Sequence, residues 1–404
     1  MKVGHGVEHL ELVEGEAMGG YADRPGGLAG VLDPLEVHAV TFADRGRRFA
    51  LVVADLVCVN TDVVARVRAA VREAGVGDCW VAATHTHAGP EPGCAPGGAP
   101  TPAHLAGRLE RAALRAVAGA LADERDATVH TDRVRLPELA GRRHLAGHQE
   151  VDLPVDVLVV TSDGRVTGTI VVSPVHPTVL PAAEHRASAD LSGGIRRALR
   201  SQDRWVVAAT GAAGDISTRH TRRGRDEREL DRLGALVAGR LSAVTHPPGA
   251  RTEAAPDEQR LTPPTSARVP LTAKRPEEAR SDGVTTHGRS QDVLDQGRTI
   301  ARDLMATGPG PREIDVEAVT LGPVTLVAIP GELYLDLGER IRARGGEDVV
   351  VLGYANGYLG YLPTQDAPTS YETLVSPVAR GSGEAVVAAA LDLIAQRAAQ
   401  RIAQ

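Results

Sequence analysis

Residues 80–90 read Trp80-Val81-Ala82-Ala83-Thr84-His85-Thr86-His87-Ala88-Gly89-Pro90. An apolar run leads straight into two histidines one residue apart, then into Gly-Pro. A strand puts residues i and i+2 on one face, so this spacing predicts that both imidazoles point the same way at a strand end. Two histidines so placed suit zinc or a reacting group. Two hydrogen-bonded surface histidines would read the same way in an isolated HxH.

Working outward, 38–42 and 47–59 read as strands, and 61–74 as a helix with Val63, Val64, Val67 and Val71 on one stripe. Strand, helix, strand at this spacing predicts a βαβ unit with parallel strands. Asp55 falls inside the first strand, where a carboxylate is ordinarily just hydrogen-bonded. Residues 89–100, GPEPGCAPGGAP, form a Gly/Pro loop expected as a rim or lid. Thr101-Pro102 opens a long helix. Arg142, Arg143, His144 and His148 make a basic loop, read as solvated. Residues 155–160 and 166–172 flank Ser162-Asp163-Gly164, a hairpin signal. Further elements are a helix near 190–200, a strand at 205–210, helices at 229–243 and 289–306, apolar strands opening 324–338 and 349–363, and a helix from about 383. Residues 244–268 read as a connection within a domain, and no repeat of solenoid period is visible.

Composition excludes several classes. The net charge of −7 and a pI near 6.1 argue against nucleic-acid binding. No apolar run reaches membrane-spanning length. The start, MKVGHGVEHLEL, has no signal-peptide core, and three cysteines (Cys58, Cys79, Cys94) lack CxxC spacing. A cytoplasmic chain without stable membrane insertion is the expectation; the oligomeric state is open.

Five polar motifs each follow an apolar strand: His85/His87, His176, Gly214-Asp215-Ile216-Ser217, Gly331-Glu332 and Tyr358/Tyr361. In α/β proteins ligands bind beyond the carboxyl ends of strands, so these distant motifs can converge. Two histidines, a Glu and a Tyr can make a mixed nitrogen/oxygen metal site. Singly, His176 beside Pro177 also reads as a turn residue, Glu332 as a helix cap over 333–340, and Tyr361 as core.

THTHAGP, VHPT, GDIS, PGE and NGYLGY…YE, preceded by GGYADR, resemble in order and context the neutral, non-lysosomal ceramidase family over about residues 3–395. The resemblance implies an α/β fold of central mixed sheets flanked by helices, as one domain spanning 1–404 without the family's C-terminal immunoglobulin-like domain. It implies Zn²⁺ held by His85, His176, Glu332 and Tyr361, and His87 working on the attacking water or leaving amine. It implies Arg142 and Tyr371 at the reacting carbonyl, with Arg143 competing for the arginine role. Ser217 matches the family's essential serine, as nucleophile or structural residue. Gly141 replaces the family's Asn, and Thr218-Arg219 replace Pro-Asn. The expected activity is hydrolysis of a linear N-acyl amide by a zinc-activated water; an esterase or lactonase with the same centre, or a non-catalytic ligand-binding relative, are the alternatives. Two Phe and two Trp leave little for an aromatic-lined groove. The expected substrate is therefore a small soluble amide rather than ceramide, lipid-like amides not being excluded.

Overall fold

The computed structural model describes residues 1–21, 23–145, 147, 149–245, 259–279, 291–306 and 312–402; His148, 246–258 and the start of the expected helix at 289 lie outside them. Strands β1 (Lys2–His9), β2 (Glu36–Asp44) and β3 (Arg47–Ala54), helix α1 (Thr61–Glu73), β4 (Asp78–Ala83), helix α2 (Ala103–Ala122) and β5 (Arg125–Asp126) build the first sheet, in the order β4-β3-β2-β1-β5. Next come β6 (Thr128–Arg135), β7 (Gly141–Arg142), β8 (Pro154–Ser162), β9 (Arg165–Ser173), α3 (Asp190–Leu199), β10 (Trp205–Thr210), β11 (Ile216–Ser217) and α4 (Glu227–Thr245). They give a sheet β10-β9-β8-β6 and the small pair β11-β7. The last third holds β12 (Leu261–Leu271), α5 (Gln291–Ala306), β13 (Arg312–Leu321), β14 (Val324–Ala328), β15 (Glu332–Leu333), α6 (Leu335–Gly345), β16 (Val349–Leu352), β17 (Tyr361–Leu362), α7 (Tyr371–Val375) and α8 (Ser382–Ile402). Its sheet runs β12-β13-β14-β16, with β15 paired to β17.

One unit therefore occurs three times: an antiparallel hairpin, a helix, and a strand that returns parallel to the hairpin's second arm. The hairpins are β2/β3, β8/β9 and β13/β14. The parallel partners are β4, β10 and β16, reached through α1, α3 and α6. The inner faces of the three sheets share a core that includes Phe42, Phe49, Trp80, Leu158, Ile170, Val207, Leu326 and Leu352. Burial at roughly 25 cal/mol per Å² of apolar surface is what holds the sheets face to face. Helices α1 to α4 pack outside the first two sheets, and α6 and α8 outside the third.

Buried charge links the units in a ring. Arg68 of α1 reaches Glu317 on β13 (2.7 Å), Arg342 of α6 reaches Asp156 on β8 (2.9 Å), and Arg196 of α3 reaches Glu36 on β2 (3.0 Å). Each helix thus clasps the first hairpin strand of another unit. Asp55, just past β3, belongs to this ring, 2.5 Å from Arg196 and accepting from the Glu36 N–H. The strand ends are stitched as well: the Ala83 N–H donates to Tyr354 O (3.0 Å), the Gly353 N–H to Thr210 O (3.0 Å), and the Thr210 hydroxyl to Thr84 O (2.7 Å). The carboxyl ends of β4, β10 and β16 consequently meet at one place.

Three of the longer strands escape the sequence reading. In β1 only Val3 and Leu10 nearby are buried apolar residues; a side chain at Gly4 or Gly6 would lie 2.0 Å from the Ala120 or Ala116 carbonyl of α2, so the helix backbone fills that face. Residues 261–268, expected as connection, are strand β12. Its Pro263-Pro264 pair falls where the register shifts, on an edge strand, and those are the places a sheet tolerates a missing N–H. Strand β13 carries charge at every second residue near its start, which hides its apolar face. Among the described residues no helix is long and apolar enough to cross a membrane.

Candidate metal centre

The site lies where the strand ends meet. His85 and His87 follow β4, His176 follows β9, Glu332 opens β15 after β14, and Tyr361 opens β17 after β16. The two histidines of the HxH do converge, with ring centroids 4.9 Å apart, but strand alternation is not the cause. The strand has ended at Ala83, and His85 sits at φ 66°, the left-handed region that costs a non-glycine residue about 1–3 kcal/mol. Tyr354, two residues past the end of β16 as His85 is past β4, has φ 54°, and the two rings stack at 4.0 Å. The Thr86 hydroxyl, donating to Ser188 O (2.6 Å) and accepting from the Ala88 N–H, pins the turn.

Hydrogen bonds define the chemistry of each ring. His85 Nδ1 lies 2.6 Å from Val57 O, and His176 Nδ1 lies 2.6 Å from Ala213 O. A carbonyl only accepts, so each Nδ1 carries the proton and each Nε2 presents a lone pair. Arg143 Nη1, which can only donate, is 2.8 Å from His176 Nε2 and agrees with that tautomer. Facing these lone pairs is another acceptor, Glu332 Oε2, at 2.9 Å from His176 Nε2 and 3.4 Å from His85 Nε2. Burial alone would raise the Glu332 carboxyl, but His85 and His176 hold it well below its usual range. Burial, then Arg143, presses His176 down to about 3. Neutral imidazoles and a carboxylate pointed at one another leave a gap that a cation would satisfy. This donor set fits a zinc ion.

His87 differs. Its Nε2 is 3.4 Å from His85 Nε2, and a nitrogen from each of His85, His87 and His176 lies within 4.8 Å of the others. Its Nδ1 is buried without a hydrogen-bond partner, so no carbonyl locks its tautomer. Burial and the neighbouring rings keep it well below the ordinary imidazole value. A side chain at Gly20 would lie 2.4 Å from the ring, so the Gly-rich N-terminal run lets the backbone close over it.

Tyr358 donates to Glu332 Oε1 (2.6 Å) and Tyr354 lies 3.5 Å from Oε2, so the NGYLGY stretch and the tyrosine before it orient the carboxylate. Glu332 does not cap α6, whose N-cap is Tyr334. Tyr361 Oη is 3.2 Å from Arg143 Nη1. The arginine against the cluster is Arg143, largely buried and backed by Glu372 at 3.3 Å. It is not the solvated loop residue expected. Arg142 instead binds Asp215 and Asp336. Asp215 in turn accepts from the Leu335 N–H (2.8 Å), so Arg142 steadies the chain that follows Glu332. Arg142 ends β7 and Arg143 opens the turn after it, so the two neighbours reach different partners.

A cavity of about 240 Å³ opens on this cluster; His87, Arg143, Ser217, Tyr361 and Tyr371 line it together with Tyr21. Ser217 is buried and its hydroxyl accepts from the Arg219 N–H (3.4 Å). The loop 89–100 is no rim of this cavity: Asn60 donates to Pro92 O, the Gly97 N–H to Leu359 O, and Glu91 accepts from its own loop. The walls come from Gly20, Tyr21 and Asp23, from Thr178 and Ala182, and from Val293 and Gln296 of α5; the first two stretches have an irregular backbone that left no periodic signal. Tyr21, in GGYADR, and Glu372, in SYE, were legible only as parts of motifs.

No protein-family model and no curated protein matches the sequence. Solved structures do match the fold. A ceramidase complexed with C2 aligns with TM-score 0.78 and 19% identity over 99% of this chain and 75% of that one. The neutral ceramidase from Pseudomonas aeruginosa aligns with TM-score 0.75 and 19% identity over 99% and 74%. The mixed α/β architecture expected from the motif order is thus the one found, and the chain has the neutral-ceramidase fold.

Proposed function

We propose that this protein is a zinc-dependent hydrolase of linear N-acyl amides with a small soluble substrate. One observation carries the reading: two imidazoles with carbonyl-locked Nδ1 protons aim their lone pairs at a buried carboxylate, beside a third imidazole that nothing locks. The fold neighbours, ceramidases by name, support amide chemistry.

His85, His176 and Glu332 would hold the metal, with Tyr361 beside them. Bound there, zinc lowers the pKa of a water and polarises a carbonyl. His87 accepts a proton at Nε2 and returns it to the leaving nitrogen, a role that needs a free tautomer. Arg143 and Tyr371 donate to the developing oxyanion, each such donor typically contributing ~3 kcal/mol. Arg143, rather than Arg142, takes this role because Glu372 aims it at the cluster. Ser217 has no base within the hydrogen bonds it makes, so it serves as cavity wall and not as nucleophile. The cavity, about 240 Å³, is below the usual 300–1,000 Å³ of ligand pockets and suits a short acyl amine better than a two-chain lipid.

The test is hydrolysis of short-chain N-acyl amines by protein stripped with a chelator and reloaded with zinc, against long-chain N-acylsphingosine in detergent. Zinc-dependent turnover of the short amides is expected. No turnover of any amide by zinc-loaded protein would overturn the hydrolase, and a preference for the long-chain lipid would overturn the substrate size.

A further inference from the structure

The chain carries a net charge of −7, yet among the described residues its cavity is lined by Arg143, Arg219, Arg222 and Arg225 against a single acid, Asp23. Such an excess of cations in a small concave site concentrates field and recruits anions. Arg143 is accounted for by Glu372. Arg222 and Arg225 are not. Arg222 Nη1 donates to Thr178 O (2.7 Å); Arg225 donates from Nε to Val179 O (3.3 Å) and from Nη2 to Leu180 O (3.2 Å). Among the described residues neither takes part in an ion pair, and each guanidinium keeps N–H groups beyond those it has used.

Two nearby carboxylates, Asp190 and Glu229, are engaged elsewhere. Asp190, beneath the same loop, accepts from the Val179, Leu180 and Leu191 N–H groups. Glu229 holds Arg232 at 2.6 Å. Burial, then the Arg225 charge, lowers Arg222 below its usual value. Two neighbouring cations fixed by backbone carbonyls and, among the described residues, outside any ion pair form a ready seat for a carboxylate, which two guanidinia can hold through charge-assisted hydrogen bonds.

The seat lies on one side of the reacting centre. The Tyr21 ring meets His87 edge-on at 4.9 Å, and Tyr21 Oη donates to Leu180 O, the carbonyl that Arg225 also uses. The wall therefore runs from His87 through Tyr21 to Arg225. On the reading given above, His87 protonates the leaving nitrogen, so the amine half of the substrate faces this wall. We propose that Arg222 and Arg225 bind a carboxylate on the amine half, which makes the substrate class N-acyl amino acids. Hydrolysis would then break the C–N bond, with water supplying hydroxyl to the acyl carbon and a proton to nitrogen, releasing a short carboxylic acid and a free amino acid.

This rests on the hydrolase reading, and a paired measurement separates the two. The zinc-loaded enzyme is assayed on N-hexanoylglycine and on the neutral N-hexanoylglycinamide. Binding of N-methanesulfonylglycine, which has no cleavable acyl bond, and of its amide is measured by calorimetry. The expected result is a kcat/KM at least tenfold higher for the glycine than for the glycinamide, with a matching preference in Kd. In Arg222→Gln and Arg225→Gln both ratios fall towards one. Equal turnover and equal binding of charged and neutral compounds in the wild type would overturn the proposal while leaving an amide hydrolase in place. Arginine-dependent binding of the sulfonylglycine without hydrolysis of either amide would uphold the carboxylate seat and overturn the hydrolase.

Discussion

Two histidine clusters stand among the described residues, and only one fits a metal. At the strand ends His85 and His176 give their Nδ1 protons to backbone carbonyls and turn lone pairs inward. On the first sheet His5 Nε2 lies 3.1 Å from His38 Nδ1, and His38 Nε2 lies 2.9 Å from Glu36. That second arrangement is a relay: a proton on His38 Nε2 serves Glu36, and His38 Nδ1 accepts from His5. Arg196 and Arg200 neutralise Glu36 at 3.0 and 2.8 Å, and Trp205 stacks on His5 at 4.7 Å. The His38 Nδ1 lone pair and the Glu36 carboxylate thus each have a proton facing them. Both clusters contain a histidine pair and a glutamate, so residue type does not separate them. What separates them is which ring nitrogen the backbone takes.

The contrast is broken most severely by removing an inward-facing donor. His85→Ala and Glu332→Ala should each abolish stoichiometric zinc, against about one zinc per chain expected in the wild type, and His38→Ala should not; elemental analysis of the three proteins decides it. Full zinc in both Glu332→Ala and His85→Ala would remove these residues as ligands. Next in size is His87→Ala, which should keep zinc and lose about 10²–10⁴ in kcat. A metal-free His87→Ala would make all three histidines ligands and void the division of labour drawn from the unlocked Nδ1.

The relay side answers in stability. Glu36→Ala leaves His38 and Arg200 without their carboxylate, while Arg196 keeps Asp55, and should cost about 3 kcal/mol, the lower end for breaking a buried pair. The urea midpoint should drop with zinc content unchanged; an unshifted midpoint would mean the relay is loosely solvated. The smallest effect is with pH. Burial, then His38 and Arg200, lowers His5 to about 3, so the native ring is neutral while the unfolded ring takes a proton near pH 6.5. The unfolded state then binds more protons, and stability is lost as pH falls from about 6.5 towards 3, by up to ~1.4 kcal/mol per pH unit for this one group. Glu36, held low, adds its own loss only below about pH 4.5. His5→Gln should flatten the curve between pH 6.5 and 4.5, and an unchanged slope would assign the dependence elsewhere.

Much of the candidate site was legible because its side chains follow apolar strands. The runs before His85, His176, Glu332 and Tyr361 are visible as Val/Ala/Ile stretches, and the motif order pointed to the fold. The choice between Arg142 and Arg143 was not legible, since adjacent arginines are identical locally and only their distant partners, Asp215 and Glu372, distinguish them. The mechanism that brings His85 and His87 together was also hidden. Periodicity predicts strand alternation, whereas the chain uses a left-handed turn whose cost is met by the Thr86 and Val57 contacts.

By itself, the sequence determined the elements with strong period: the helices α1 and α2, the hairpin at Ser162–Gly164, and the parallel strand leading to the HxH. Local apolar spacing and turn chemistry suffice for these. Only the tertiary structure decided that one hairpin–helix–strand unit is used three times. Insertions of unequal length separate the copies, and the residues linking them, Arg68–Glu317, Arg342–Asp156 and Arg196–Glu36, are far apart in the chain. It alone decided the protonation pattern as well, because a histidine's inward nitrogen depends on which carbonyl lies behind it, and Val57 O and Ala213 O reach their rings only once three sheets have closed around a common core.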